Sequence, residues 1–194
     1  MHERRGRLGF LEAGVSMGVI VGLLWLVEVV DQADANRLDQ YGIQPRSGEG
    51  LVGIFLAPFL HGSWAHLASN TLPFFVLGLV VLLEGWRRWG AVTLWIVLVS
   101  GATVWLIAPA GTTTLGASGV VLGWLTYLIG RGLYTRAPGQ IAIGVVVLLF
   151  YGGILFGVLP TDAGISWQAH LGGAVGGVIA ASRQRRQPVD PRWY

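Results

Sequence analysis

Ser118 lies in Leu115-Gly116-Ala117-Ser118-Gly119-Val120-Val121, where an uncharged loop runs into an apolar stretch. A serine hydroxyl among small residues becomes a nucleophile once a base removes its proton. The surroundings are not the Gly-x-Ser-x-Gly elbow of soluble hydrolases, because Val120 occupies the place of the last glycine. Gly119 and Gly123 share a helix face, so Ser118 also reads as a packing residue on a small-xxx-small surface. The candidate bases are histidines. His2 sits in a basic head and carries no signal, which leaves His61, His66 and His170. His66 and Asn70 are four apart and share a helix face, from which both can donate hydrogen bonds to one spot. His61 and His66 are five apart and are not expected to share a face. Three histidines could instead bind a metal. No acid lies beside them and there is no His-Glu-x-x-His motif, so no metal is expected.

The scaffold for these groups follows from composition. The chain has 194 residues, of which 53% are hydrophobic and 12% charged. Soluble domains carry about 25% charged residues. A bilayer span takes ~20 apolar residues, so about six spans with short loops fill the chain. An all-α membrane protein is expected, one integral membrane domain over 1–194. Its six transmembrane helices should lie near 13–30, 67–83, 91–108, 118–133, 140–158 and 166–182. The first run follows a basic head, and Ala33-Asp34-Ala35 resembles a signal cleavage site. Its length favours an uncleaved first helix. Leu51–Leu60 is apolar but broken by Pro58 and too short to span, so it should lie in the interface or dip in and return. With no cysteine, disulfides and thiol chemistry are excluded.

Charge supplies the sidedness. The net charge of +3 comes from arginine, with no lysine. Trp86-Arg87-Arg88-Trp89 and 131–139 read as basic turns. With the head and the tail they hold eleven of the thirteen arginines on one side. That asymmetry places both termini in the cytoplasm of a plasma membrane, and it argues for topology rather than nucleic-acid binding. His61, His66, Ser118 and His170 then fall on the external side. His66 opens the second helix, Ser118 opens the fourth, and His170 lies one turn into the sixth. Ionisable groups at that depth are costly and mark function by default. His170 shares its face with Gly173 and Gly177. Contact between that face and Gly119–Gly123 would bring the Ser118 hydroxyl to the His170 imidazole. No acid stands in the fifth or sixth helix to orient His170, so a hydrolase here would use a Ser–His dyad.

Together, His61-x4-His66-x3-Asn70, Gly116-Ala117-Ser118-Gly119 and Ala169-His170-x2-Gly173-x3-Gly177 resemble the rhomboid family of intramembrane serine proteases. The resemblance runs from Ala13 to Ser182. It implies a six-helix rhomboid-like bundle with Ser118 as nucleophile and His170 as general base. It implies an oxyanion hole made by His66, Asn70 and the Ser118 N–H, with His61, Gly116 and Gly119 supporting the site. The second and fifth helices would form a side gate, and Leu159–Ile165 a cap. The substrates implied are transmembrane segments of other proteins, cut near the external face, without a cofactor. Two positions depart from the family pattern. Many bacterial members carry a Trp-Arg pair in the first external loop where this chain has Val52-Gly53. Many also stack a tyrosine on the catalytic histidine, where this chain has Leu122. The first loop must therefore be held in another way, and the orientation of His170 needs another source. The competing reading is an inactive rhomboid-like protein that binds membrane helices without cutting them. A small transporter or channel lacks the charged midplane residues it would need.

Overall fold

The computed structural model describes residues 7–160 and 164–184. Among these the fold is all helical, and β pairing is limited to one isolated bridge between Ile43 and Thr114. The α-helices are α1 (Phe10–Ala33), α2 (Gly50–Leu56), α3 (Trp64–Leu82), α4 (Trp86–Ile107), α5 (Ser118–Thr135), α6 (Pro138–Tyr151) and α7 (Trp167–Ser182). The short α2 and the 3-10 turn Ala57–Phe59 correspond to the non-spanning Leu51–Leu60 stretch. Arg4, Arg5 and the tail arginines from Arg185 onward lie outside the described residues, as does 161–163 of the expected cap.

Three boundaries correct the sequence reading. Trp86-Arg87-Arg88-Trp89 is not a turn but the first turn of α4. The reversal is made before it by Gly85, whose φ of 103 favours glycine and whose N–H closes on Leu82 O at 2.8 Å. Arg131 also leaves the expected turn. It is buried inside α5, paired with Glu84 at the end of α3. The Tyr127 hydroxyl donates to the same carboxylate at 3.1 Å. A buried arginine needs such a partner, since an unpaired charge there is far more costly. Finally, the fifth expected helix is α-helical only to Tyr151 and continues as a 3-10 segment, Gly152–Val158. Gly152, Gly153 and Gly157 place three poor helix formers within seven residues.

Four helices are long and apolar enough to cross a membrane: Phe10–Ala33, Trp64–Leu82, Trp86–Ile107 and Pro138–Val158. The other two of the six expected spans, α5 and α7, differ for a physical reason. They form the interior of the bundle and face other helices, so they need small residues more than apolar ones. α7 has 16 residues and buries Gly172, Gly173, Gly176 and Gly177. Against this pair, Met17 and Leu24 of α1, Leu67, Phe74 and Leu77 of α3, and Trp124 and Leu128 of α5 form one apolar core. Gly78 of α3 leaves the space that Met17 and the Trp124 ring occupy.

The loop between α1 and α2 is held by Arg46 and Trp105, without the Trp-Arg pair that the chain lacks. The Arg46 guanidinium donates to Leu106 O at 3.1 Å and Ala108 O at 2.8 Å, carbonyls at the end of α4. Trp105 Nε1 donates back to Ser47 O at 2.8 Å. Ile43 and Thr114 exchange backbone hydrogen bonds at 2.8 and 3.0 Å. The loop is thereby fastened to the chain that delivers Ser118.

Candidate active site

Ser118 is the first residue of α5, and two loop contacts fix the residues before it. Gly116 N–H donates to Ala57 O at 2.8 Å, and Ala117 N–H donates to His61 Nε2 at 3.4 Å. Gly116 has φ +116, and a Cβ there would lie 2.6 Å from His66 Cε1. Both facts demand glycine. The first N–H groups of a helix have no partner within it, so the Ser118 N–H points out of the start of α5 unspent by the helix.

The two glycine faces meet. A side chain on Gly173 would strike the Gly119 carbonyl, and one on Gly177 would strike the Gly123 carbonyl and Thr126 Oγ1. The Thr126 hydroxyl crosses the same seam to Ala174 O at 2.9 Å, and Ser100 of α4 donates to Ala169 O at 2.8 Å. This close approach sets His170 Nε2 2.8 Å from Ser118 Oγ. His170 is 6% exposed. Its Nδ1 lies 2.9 Å from Gly157 O. A carbonyl can only accept, so Nδ1 carries the proton and Nε2 is left to accept from the serine hydroxyl. No acid is needed for that tautomer. Sequence reasoning sought an orienting side chain and missed this backbone acceptor. Its one sequence signal is Gly157 itself, since a Cβ there would lie 2.6 Å from Nδ1.

α3 brings its pair from the other side. Ser63 caps the helix by accepting from His66 N–H at 3.2 Å. Asn70 is buried, with one amide N–H on His66 O at 3.1 Å and the other not committed to that bond. The rings of His61 and His66 touch edge to face at 5.0 Å between centroids, although the two residues do not share a helix face. His61 precedes α3 and is free to fold back. Its pKa is lowered to about 4, first by burial and then by His66. The ring therefore stays neutral at pH 7 and keeps Nε2 as an acceptor for Ala117. Leu122 is buried in α5 and cannot substitute for a stacking tyrosine.

His66, Asn70, Ser118 and His170 line one cavity of about 250 Å³, closed by Pro73, Val121, Ile154 and Ile165. A wider cleft of about 650 Å³ opens beside it, bordered by His66, Thr112–Leu115 and Gly164–Gln168. Among the described residues no cluster has the geometry of a metal site.

A family model described as Rhomboid domain matches residues 48–186, most of the chain and all of the residues above. A protein of Mycobacterium tuberculosis (strain ATCC 25618 / H37Rv), described as uncharacterized, is 45% identical over 178 residues. That match covers 87% of this chain and 73% of the relative. An uncharacterized Mycobacterium leprae protein is 41% identical over 187 residues, covering 92% of this chain and 74% of its own. Rhomboid-like protease 5 of Toxoplasma gondii is 30% identical over 165 residues, 82% of this chain but 18% of that much longer protein. With its apolar helices and this family match, the chain is a multi-pass membrane protein and belongs to the rhomboid family.

Proposed function

We propose that this chain is an intramembrane serine endopeptidase that cuts transmembrane segments of other proteins near the external face. The observation that carries the reading is the Ser118–His170 hydrogen bond with its tautomer set by Gly157 O. His170 Nε2 takes the hydroxyl proton as Ser118 Oγ attacks the peptide carbonyl. The oxyanion is held by the Ser118 N–H, His66 and Asn70, each donor worth ~10²–10³ in rate by analogy with other hydrolases. His170 then protonates the leaving amine. Water from the external cleft hydrolyses the acyl-enzyme, and His170 again acts as base. The family resemblance implies small side chains at the scissile bond and no cofactor.

A fluorophosphonate probe tests this reading on the purified full-length chain. Wild type should be labelled at Ser118. Ser118→Ala should take no label, and His170→Ala should lose at least ~10⁴ in labelling rate and in cleavage of a transmembrane substrate. A folded wild type that never labels would instead favour a protein that binds membrane helices without cutting them. The arginine pattern supports a topology with both termini in the cytoplasm of the bacterial plasma membrane. In intact cells an impermeant thiol reagent should label Ser47→Cys and spare Ser182→Cys. The opposite pattern would invert the topology and put the site on the wrong face.

A further inference from the structure

The acceptor that orients His170 is not carried by the buried centre of the bundle. Gly157 belongs to the 3-10 segment Gly152–Val158, which has no buried residue, and Phe156 within it is 73% exposed. The segment is attached to α6, which buries only Gly144 and Val147. A 3-10 run of this length has poorer hydrogen-bond geometry than an α-helix. Its hold on the bundle comes from partly buried Ile154 and Leu155 packed against the apolar core. Ile154 also forms a wall of the Ser118 cavity. A chain reaching Ser118 through this wall would have to displace Ile154 and the backbone that carries it.

We infer that Gly152–Val158 is a latch on the catalytic base: docked, its Gly157 carbonyl fixes the productive tautomer of His170, and displaced, it disarms the dyad. The inference rests on the dyad proposed above. The chemistry is simple. Without the carbonyl, the single ring proton of neutral His170 can sit on either nitrogen. On Nε2 it donates to Ser118 Oγ, and the ring can no longer accept the serine proton. In serine proteases where an aspartate sets the tautomer, losing that tautomer costs about 10⁴ in kcat. A neutral carbonyl orients less strongly, so a smaller factor applies. The coupling gives the enzyme an order of events. The outward movement that admits a substrate also switches the base off, and redocking around the bound segment switches it on. Ser118 is thereby kept from attacking while the site stands open.

Leu155 offers the cleanest test, because it holds the segment without lining the cavity. The full chain is labelled with ¹⁵N-histidine, and three quantities are read on one preparation: the ring-nitrogen shifts of His170, the fluorophosphonate labelling rate of Ser118, and the melting temperature. Wild type should show a protonated Nδ1. Leu155→Ala should shift His170 toward mixed tautomers and slow labelling about tenfold or more. Leu155→Met should restore both. A gate that acts only by steric exclusion predicts unchanged or faster labelling, since the probe is small. Wild-type tautomer and labelling rate in folded Leu155→Ala would overturn the latch, as would slower labelling with the tautomer intact. If Leu155→Ala does not fold, Leu155→Val takes its place under the same criteria. Failure of wild type to label at all would sink the dyad and the latch with it, whereas an unshifted tautomer in Leu155→Ala sinks the latch and leaves the dyad standing.

Discussion

The Ser118–His170 pair and the carbonyl that orients it are held by opposite kinds of structure. Ser118 starts α5, which buries twelve residues, and α5 meets α7 through glycines whose missing side chains admit the neighbouring backbone. Ser100 and Thr126 add hydroxyl bonds to α7 carbonyls across the same seam. The carbonyl that orients His170 sits on the continuation of α6, a span only 11% buried. The centre is rigid because close-packed backbone leaves no alternative arrangement. The edge has few buried contacts, which is where local opening is cheapest. The proposed activity, admitting a helix while aligning two atoms at 2.8 Å, would need both.

The division predicts which substitutions change rate and which change stability. Asn70 stands in the site but on the well-packed α3. As an oxyanion donor it acts on the transition state, so Asn70→Ala should lower kcat by up to ~10²–10³ with the bundle intact. It should still react with the serine probe, more slowly. If Asn70 only joins helices, the melting temperature should fall and the rate per folded molecule should hold. Measuring kcat and melting on the same sample separates the two. A melting shift without a rate defect removes Asn70 from the oxyanion hole.

Glycine substitutions test the rigidity contrast itself. In Gly177→Ala the new methyl group would meet the Gly123 carbonyl and Thr126 Oγ1, both fixed by helix backbone. Overpacking of this kind should cost about 1–3 kcal/mol. At Gly153, in the 3-10 segment, nothing lies within 4 Å of an added Cβ. Gly153→Ala should therefore stay within about 0.5 kcal/mol of wild type. Equal melting temperatures for the two variants would show that the centre is no tighter than the edge.

Much of the centre was legible in the sequence because close approach leaves a side-chain signature. Gly119, Gly123, Gly173 and Gly177 mark the seam, and the Ser118 and His170 positions at two helix starts follow from it. The edge was not legible, because its key group is a backbone carbonyl and any residue has one. The same holds for the Arg46 clamp, whose partners are the carbonyls of Leu106 and Ala108. Arg131 was misplaced for a different reason. Composition near a span end reads as a turn, whereas the half-buried Glu84, just past the end of α3, turns that charge inward. All six expected helices are present, but α5 and α7 lack the length and hydropathy of the other four because an inner helix needs small residues more than apolar ones.

A smaller effect than the Gly177 cost is expected at a second edge, where the loop after α1 meets the C-terminal end of that helix. Asp31 is buried there, with Oδ1 accepting from Leu38 N–H at 2.7 Å. Asp31 Oδ2 and Asp39 Oδ1 are buried and find no donor among the described residues. One proton shared between the two carboxyls satisfies both atoms. Burial, then Asp31, then the more distant Glu28 push Asp39 up from 3.8 to about 6. The nearest described cation, Arg37, pairs with the exposed Asp34 at 3.5 Å instead. The sign follows from linkage. The folded chain holds the Asp39 proton more tightly than the unfolded chain, so this contribution is full below about pH 4 and is lost as pH rises through 6. Asp39 is only partly buried, so solvent screening reduces the effect to about 1 kcal/mol. Asp39→Asn keeps a donor facing Asp31 without a proton to lose. The difference in melting temperature between wild type and Asp39→Asn should therefore grow from pH 4.5 to pH 7, in favour of the variant. The difference cancels the other carboxylates, which titrate in both proteins. A constant difference across that range would mean that no shared proton joins α1 to the loop, and that the Leu38 N–H bond to Asp31 holds this edge instead.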